Sequence, residues 1–157
     1  MKIRNYRFED SDACLAVFDS NVPEYFLSSE RKAFSQFLKG PDFLPPRLRE
    51  HPGSEARFYV VEDKDEIVGC GGWYLDDTVA GLSWGMVDRS RHRQGLGRLL
   101  LEVRLKTIRE DGRARSVRVR TTPSVQGFFE HFDFRFVRAG MKGIVDEVPL
   151  VELLLAL

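Results

Sequence analysis

The sequence predicts a mixed α/β (α+β) fold. It has a largely antiparallel sheet of six to seven strands and about four helices, in the order β-α-α-β-β-β-α-β-α-β-β. Three observations predict it. Three strand-like stretches between residues 56 and 87 are joined by tight turns at Asp63-Lys64-Asp65 and Asp76-Asp77, which reads as an antiparallel meander. A glycine-punctuated turn then leads into a long amphipathic helix, and a strictly alternating strand follows it. A strand-helix-strand unit of that kind puts one parallel pair into the sheet. The length of 157 residues, with 43% hydrophobic and 31% charged, suits one domain over residues 1–157 with a real core.

The elements follow in order. Residues 2–6 alternate and form a first strand. Residues 8–12 offer caps for a helix whose apolar face is Cys14, Val17 and Phe18. Asp19-Ser20-Asn21-Val22-Pro23 breaks it. Ser28 or Ser29 caps a second helix with Phe34, Phe37 and Leu38 as its stripe, and Gly40-Pro41 ends it. Residues 41–54 carry four of the seven prolines and read as loop. Strands follow at 56–62, 67–75 and 80–87. The three glycines Gly69, Gly71 and Gly72 mark a bulge or a close backbone approach.

A helix over about 94–110 carries Leu96, Leu99, Leu100, Val103 and Ile108 at helical spacing, with a Glu102–Lys106 pair four residues apart and Gly112 as its stop. Residues 116–121 form a strand. Thr122 and Pro123 open a short helix. Residues 134–137 and 148–155 form a terminal pair of strands. The second is apolar enough to be buried on both faces, as an interior strand or as an edge compatible with a homodimer.

Composition excludes several classes. Lys+Arg and Asp+Glu both number 24, so no basic excess marks a nucleic-acid binder. Cys14 and Cys70 match no metal or redox spacing and read as small buried hydrophobes, so no metal is expected. The N-terminus is no signal peptide, and no apolar run approaches the roughly 20 residues of a membrane span. A cytoplasmic protein that binds no membrane is the expectation.

The stretch that organises the chain is Val87-Asp88-Arg89-Ser90-Arg91-His92-Arg93-Gln94-Gly95-Leu96-Gly97-Arg98. Glycines at a strand-to-helix turn let a ligand approach the backbone. The first N–H groups of a helix are unpaired and lie at the positive end of its dipole, so they cradle phosphate. Arg89, Arg91, His92, Arg93 and Arg98 crowd the same turn. A dinucleotide fingerprint needs glycine where Leu100 stands, and a Walker loop needs Lys-Ser/Thr where Arg98-Leu99 stand, so neither fits.

What remains, Arg93-Gln94-Gly95-Leu96-Gly97, resembles the acetyl-CoA pyrophosphate loop of the GNAT superfamily of N-acetyltransferases, Gln/Arg-x-x-Gly-x-Gly/Ala, with His92 in the first place. Thr122-Pro123-Ser124-Val125-Gln126-Gly127-Phe128-Phe129 through Asp133-Phe134 is similar to the second GNAT signature, Asn-x-x-Ala-x-x-Phe-Tyr-x-x-x-Gly-Phe. The element order matches over about the whole chain.

The resemblance implies acetyl-CoA as cosubstrate, a primary amine of a small molecule or of a peptide or protein as acceptor, and direct transfer between them. His92, Arg93, Gln94, Gly95, Leu96, Gly97 and Arg98 would hold the pyrophosphate. Met86 and Val87 would pair with the pantetheine arm, and an N–H near Met86 would polarise the carbonyl. Glu24, Tyr25 and Phe26, together with Ser83 and Trp84 one on each face, would line the acceptor pocket. The family often places a Tyr where Phe129 stands, to protonate the leaving thiolate, and a carboxylate on the strand before the loop, where residues 81–86 have none.

Ser124, Thr122 and His131 are substitutes for the acid. Asp76, Asp77 and Glu24 are candidates for the base, although hairpin-tip aspartates ordinarily just form turns. Alongside the transferase, two other readings stand at this level: a CoA-binding module serving as sensor or partner subunit, and a binder of another phosphate ligand.

Overall fold

The computed structural model describes residues 1–40, 42–51, 53–143 and 149–157. Its frame is a seven-stranded sheet in the order β1-β2-β3-β4-β5-β7-β6. The strands are β1 (Lys2–Asn5), β2 (Glu55–Asp63), β3 (Glu66–Asp76), β4 (Val79–Val87), β5 (Ser116–Thr121), β6 (Arg135–Lys142) and β7 (Pro149–Ala156). Every neighbouring pair is antiparallel except β4 and β5. The terminal strand is interior, between β5 and β6. Its expected first residue, Val148, lies outside the described residues.

Helices α1 (Ser11–Ser20) and α2 (Arg31–Lys39) cover one face. Their Cys14, Val17, Phe18, Phe34 and Leu38 pack on Phe58, Val60, Cys70 and Met86 of the sheet. Helices α3 (Leu96–Asp111) and α4 (Gln126–Glu130) cover the other, where Leu101, Leu105, Ile108 and Phe129 meet Trp73, Val117, Val119 and Leu153. Period 2 on the strands and 3.6 on the helices deliver these two cores from one sequence.

Local expectations shift in three places. α3 starts at Leu96 because Gly95, in the left-handed region at φ 82, is its N-cap; Gly112, at φ 81, ends it. The surface pairs on α3 are Arg98–Glu102 at 2.7 Å and Lys106–Glu110 at 3.9 Å, one turn either side of the expected Glu102–Lys106. Neither Ser28 nor Ser29 caps α2. A 3-10 turn, Ser28–Glu30, precedes it, and Glu30 Oε1 accepts the Leu27 N–H at 3.0 Å. Among the described residues no helix is long and apolar enough to cross a membrane.

A gap and a glycine turn form the candidate active site

The site begins with an incomplete pairing. β4 and β5 are in register only at Val79↔Ser116, Ala80↔Val117 and Gly81↔Arg118. Beyond Gly81 the two strands part, and the β5-facing edge of β4 has no strand partner among the described residues. A bulge explains the divergence. The β3–β4 register slips between Cys70↔Met86 and Gly72↔Ser83, so Gly71 faces both Trp84 and Gly85. Trp84 has φ 46, strained for a bulky residue.

Its indole is drawn into an aromatic cluster, with centroids 4.8 Å from Phe34, 6.1 Å from Phe37 and 6.3 Å from Phe26. Ser83 and Trp84 therefore do not divide between the two faces. A Cβ on Gly72, opposite Ser83, would meet Phe58 of the same cluster, so both residues stand on the α1–α2 side. Ser83 Oγ is buried and has no hydrogen-bond partner among the described residues.

At the C-terminal end of β4 the chain turns into α3. The first helical hydrogen bond is Leu99 N–H to Gly95 O at 3.0 Å, so the N–H groups of Leu96, Gly97 and Arg98 stay available. Arg93 also lies in the left-handed region, at φ 63, which folds the loop back on itself ahead of Gly95. Gly97 is different: a Cβ there would meet only Phe128, at 3.7 Å.

The five basic side chains of the turn do not act as one cluster. Arg89 pairs with Glu24 at 2.5 Å and Arg91 with Asp63 at 2.6 Å. Arg98 pairs with Glu102 and lies 5.9 Å over the Phe132 ring. His92 Nε2 reaches Val87 O at 2.8 Å, and since a carbonyl only accepts, that nitrogen carries the proton. Arg93 is exposed and unpaired among the described residues.

The α1–α2 connection is bound to this turn. Asn21 Nδ2 donates to Val87 O at 2.9 Å, Arg89 N–H donates to Ser20 Oγ at 3.0 Å, and the Tyr25 ring stands edge-on to His92 at 5.2 Å. Val87 O thus receives two donors. On the α1–α2 face a cavity of about 220 Å³ bridges the connection and the end of β5, lined by Glu24, Tyr25, Phe26, Glu30 and Thr122 among others. A larger hollow of about 470 Å³ lies at the β2–β3 hairpin end. Of its charged lining, Arg4 pairs with Asp10 and Glu62, and Arg91 with Asp63.

The sequence profile of the acetyltransferase (GNAT) domain matches residues 54–136. The chain belongs to the GNAT acetyltransferase family. Members of this family are acyl-CoA-dependent acetyltransferases. Solved structures share the fold. Ard1 from Thermoplasma volcanium has a TM-score of 0.74 at 19% identity, covering 99% of this chain and 97% of that one. The ribosomal-protein-S18-alanine N-acetyltransferase from Escherichia coli has 0.72 at 15%, covering 99% and 92%. An aminoglycoside 6'-N-acetyltransferase complexed with coenzyme A has 0.71 at 14%, covering 99% and 97%. No curated protein sequence matches the chain.

Within this GNAT domain the acid–base candidates are unequal. Phe129 is buried, packed edge-on against Phe128 and Phe134, and has no proton to give. Ser124 and His131 are exposed, and Ser124 Oγ bonds Thr122 Oγ1 at 3.0 Å. Asp76 sits opposite Val79, at the paired end of β4 and away from the gap. Burial raises its carboxyl, but Arg47 at 2.9 Å, with Arg118 at 3.6 Å, outweighs burial and holds it below the usual range.

Glu30, which reads in the sequence only as part of a helix start, lines the cavity with a carboxyl raised by burial, partly offset by the Leu27 N–H. Arg104 and Asn21 were equally silent, since a helix arginine and a loop asparagine carry no sequence signal of burial.

Proposed function

We propose that this chain transfers the acetyl group of acetyl-CoA directly to a primary amine, borne by a small molecule or by a peptide or protein. The one-sided pairing of β4 carries the reading. An extended amide-bearing arm fits beside an edge that loses its strand partner at Gly81 and ends at a turn with free N–H groups at Leu96, Gly97 and Arg98. The unpartnered Ser83 Oγ supports it, because a buried hydroxyl without a partner is costly unless a substrate satisfies it.

In this proposal the residues 92–98 turn holds the pyrophosphate through main-chain donors, with Arg93 and Arg98 adding charge. Met86, and Val87 through its N–H, pair with the arm. The acceptor enters from the cavity beside Glu24, Tyr25, Phe26, Ser83 and Trp84. As the C–N bond forms and the C–S bond breaks, the sulfur keeps the bonding pair and the amine proton passes to a base. Glu30, with its raised carboxyl at the cavity, is assigned that role. Holding the two substrates together is itself a large part of the rate.

The domain spans residues 1–157, works in the cytoplasm, and needs neither metal, nucleic acid nor membrane. Self-association would use the edge strand β6, whose Phe136 and Val137 are exposed. A second reading, a CoA-binding module with little catalysis, is favoured by Phe129 and by the carboxylate-free β4.

Calorimetric titration with acetyl-CoA, CoA, ATP and NADH tests the proposal. Tight binding of both CoA species with ATP and NADH far weaker supports it, and no binding of either CoA species removes it. CoA release on a broad amine panel then separates the enzyme from the module.

A further inference from the structure

Arg104 lies on α3 at a position the helical period turns toward the sheet, and it is 4% exposed. A buried cation normally has a carboxylate beside it. Among the described residues Arg104 has none. Its hydrogen bonds are two long ones to main-chain carbonyls, Nε to Leu100 O and Nη1 to Gly72 O, both 3.4 Å. Nη2 donates to nothing described. Among the described residues the titratable group that acts on it is the Cys70 thiol, which lies on the opposite face of β3 and which burial, with Cys14 beside it, keeps neutral. Burial brings the guanidinium down to about 10, so it stays charged at neutral pH.

Two glycines make its seat. A Cβ on Gly85 would stand 2.9 Å from both Nη1 and Nη2, and one on Gly71 would stand 3.3 Å from Cζ. The bulged part of β4, which has lost its β5 partner, is therefore backed on the α3 side by an uncompensated positive charge. Burying such a charge costs stability, so the arrangement favours an anion arriving from outside.

We infer that Arg104 supplies the positive potential that stabilises the thiolate leaving group, an anionic sulfur beside Gly85 in the β4–β5 gap, in place of a proton donor. This rests on the donor occupying that gap, as proposed above. When the C–S bond breaks the sulfur takes the bonding pair and carries the charge. Arg104 gives up no proton and acts through space, in surroundings of low polarity where a fixed charge acts strongly. Phe129, on the α4 side, offers nothing in its place.

The test uses CoA itself and no acceptor. The thiol of bound CoA is titrated by the ultraviolet absorbance of its thiolate, with the CoA-free protein subtracted. Free thiols ionise near a pKa of about 8.5. On the unmodified protein the bound thiol should hold its proton about tenfold more weakly than free CoA, a change of about one pKa unit.

In Arg104→Met the bound thiol should return to the free value or above it, and Arg104→Lys, which keeps the charge, should fall between. An unshifted bound thiol on the unmodified protein overturns the inference, as does an equal shift in Arg104→Met. If Arg104→Met does not fold by circular dichroism, the unmodified protein and Arg104→Lys decide alone. Failure of CoA to bind the unmodified protein overturns the transferase proposal instead, so the two failures are distinguishable.

Discussion

Asn21 Nδ2 donates to Val87 O at 2.9 Å across 66 residues of sequence, and the same nitrogen donates to Val17 O at 2.9 Å. Asn21 is 2% exposed, so these bonds form out of water. They tie the end of α1 to the last residue of β4, where the glycine turn begins. Asn21→Leu removes both bonds and leaves Val87 O with His92 alone. The expected loss is about 1–3 kcal/mol in thermal or urea unfolding. Acetyl-CoA binding should weaken beyond what unfolding explains, because the turn loses its anchor to α1. Unchanged stability would show that the bond is not made in solution.

The two glycines of the turn should respond differently. Gly95 sits at φ 82, where a side chain costs roughly 1–2 kcal/mol, so Gly95→Ala should destabilise and distort the start of α3. Gly97 is helical with only Phe128 near its Cβ position, so Gly97→Ala should be neutral or stabilising by up to about 1 kcal/mol and retain acetyl-CoA. Gly97→Glu should keep the fold and abolish CoA binding, because it puts a carboxylate where the phosphates are proposed to lie. Calorimetry on the three variants, beside their melting curves, checks all of this.

Glu30 gives a pH signature. Its carboxyl is raised by burial in the folded chain, so the fold favours the protonated form. That contribution is complete below the unfolded carboxylate pKa and is lost as pH rises through the higher folded value. Glu30→Gln should therefore match the unmodified protein near pH 4 and be the more stable of the two at neutral pH. If Glu30 is the base, the rising acid limb of kcat/KM should disappear in the same variant. A limb left in place would move the base elsewhere.

Asp10 behaves in the opposite sense. Hydrogen bonds from Arg4, at 2.8 and 2.9 Å, lower its carboxyl against the effect of burial, and the Arg7 N–H at 2.8 Å adds to them. Its stability contribution is present above the ordinary carboxylate pKa of about 4 and is lost as pH falls through the folded value. Asp10→Asn should cost about 3 kcal/mol at neutral pH, since Asp10 is 6% exposed and the change breaks a buried pair. It should also flatten the acid limb of the stability curve, measured by urea unfolding between pH 7 and pH 2.

Much of the fold was legible because its signals are local. Alternation at 116–121 and the glycine stop at 112 produced β5 and the end of α3 where they are found. The face Cys14, Val17 and Phe18 is buried as its spacing requires. The glycine turn was legible too, because a left-handed φ at Gly95 is a property of the residue itself.

The pairing of charges was not. Glu24 and Arg89 are 65 residues apart, and Asp63 and Arg91 are 28 apart, so two of the basic side chains crowded in sequence are drawn away by partners that only folding brings near. Expecting Ser83 and Trp84 on opposite faces follows from strict alternation, which the bulge suspends where Trp84 joins the α2 aromatics.

The sequence by itself determined the order of elements, the two apolar faces and the glycine turn, because periodicity, caps and glycine conformations act within a few residues. Only the tertiary structure decided where β4 leaves β5, which carboxyl is raised, and that Arg104 lies buried without a carboxylate beside it. Those properties depend on what packs against each group, and burial and electrostatics are set by neighbours in space.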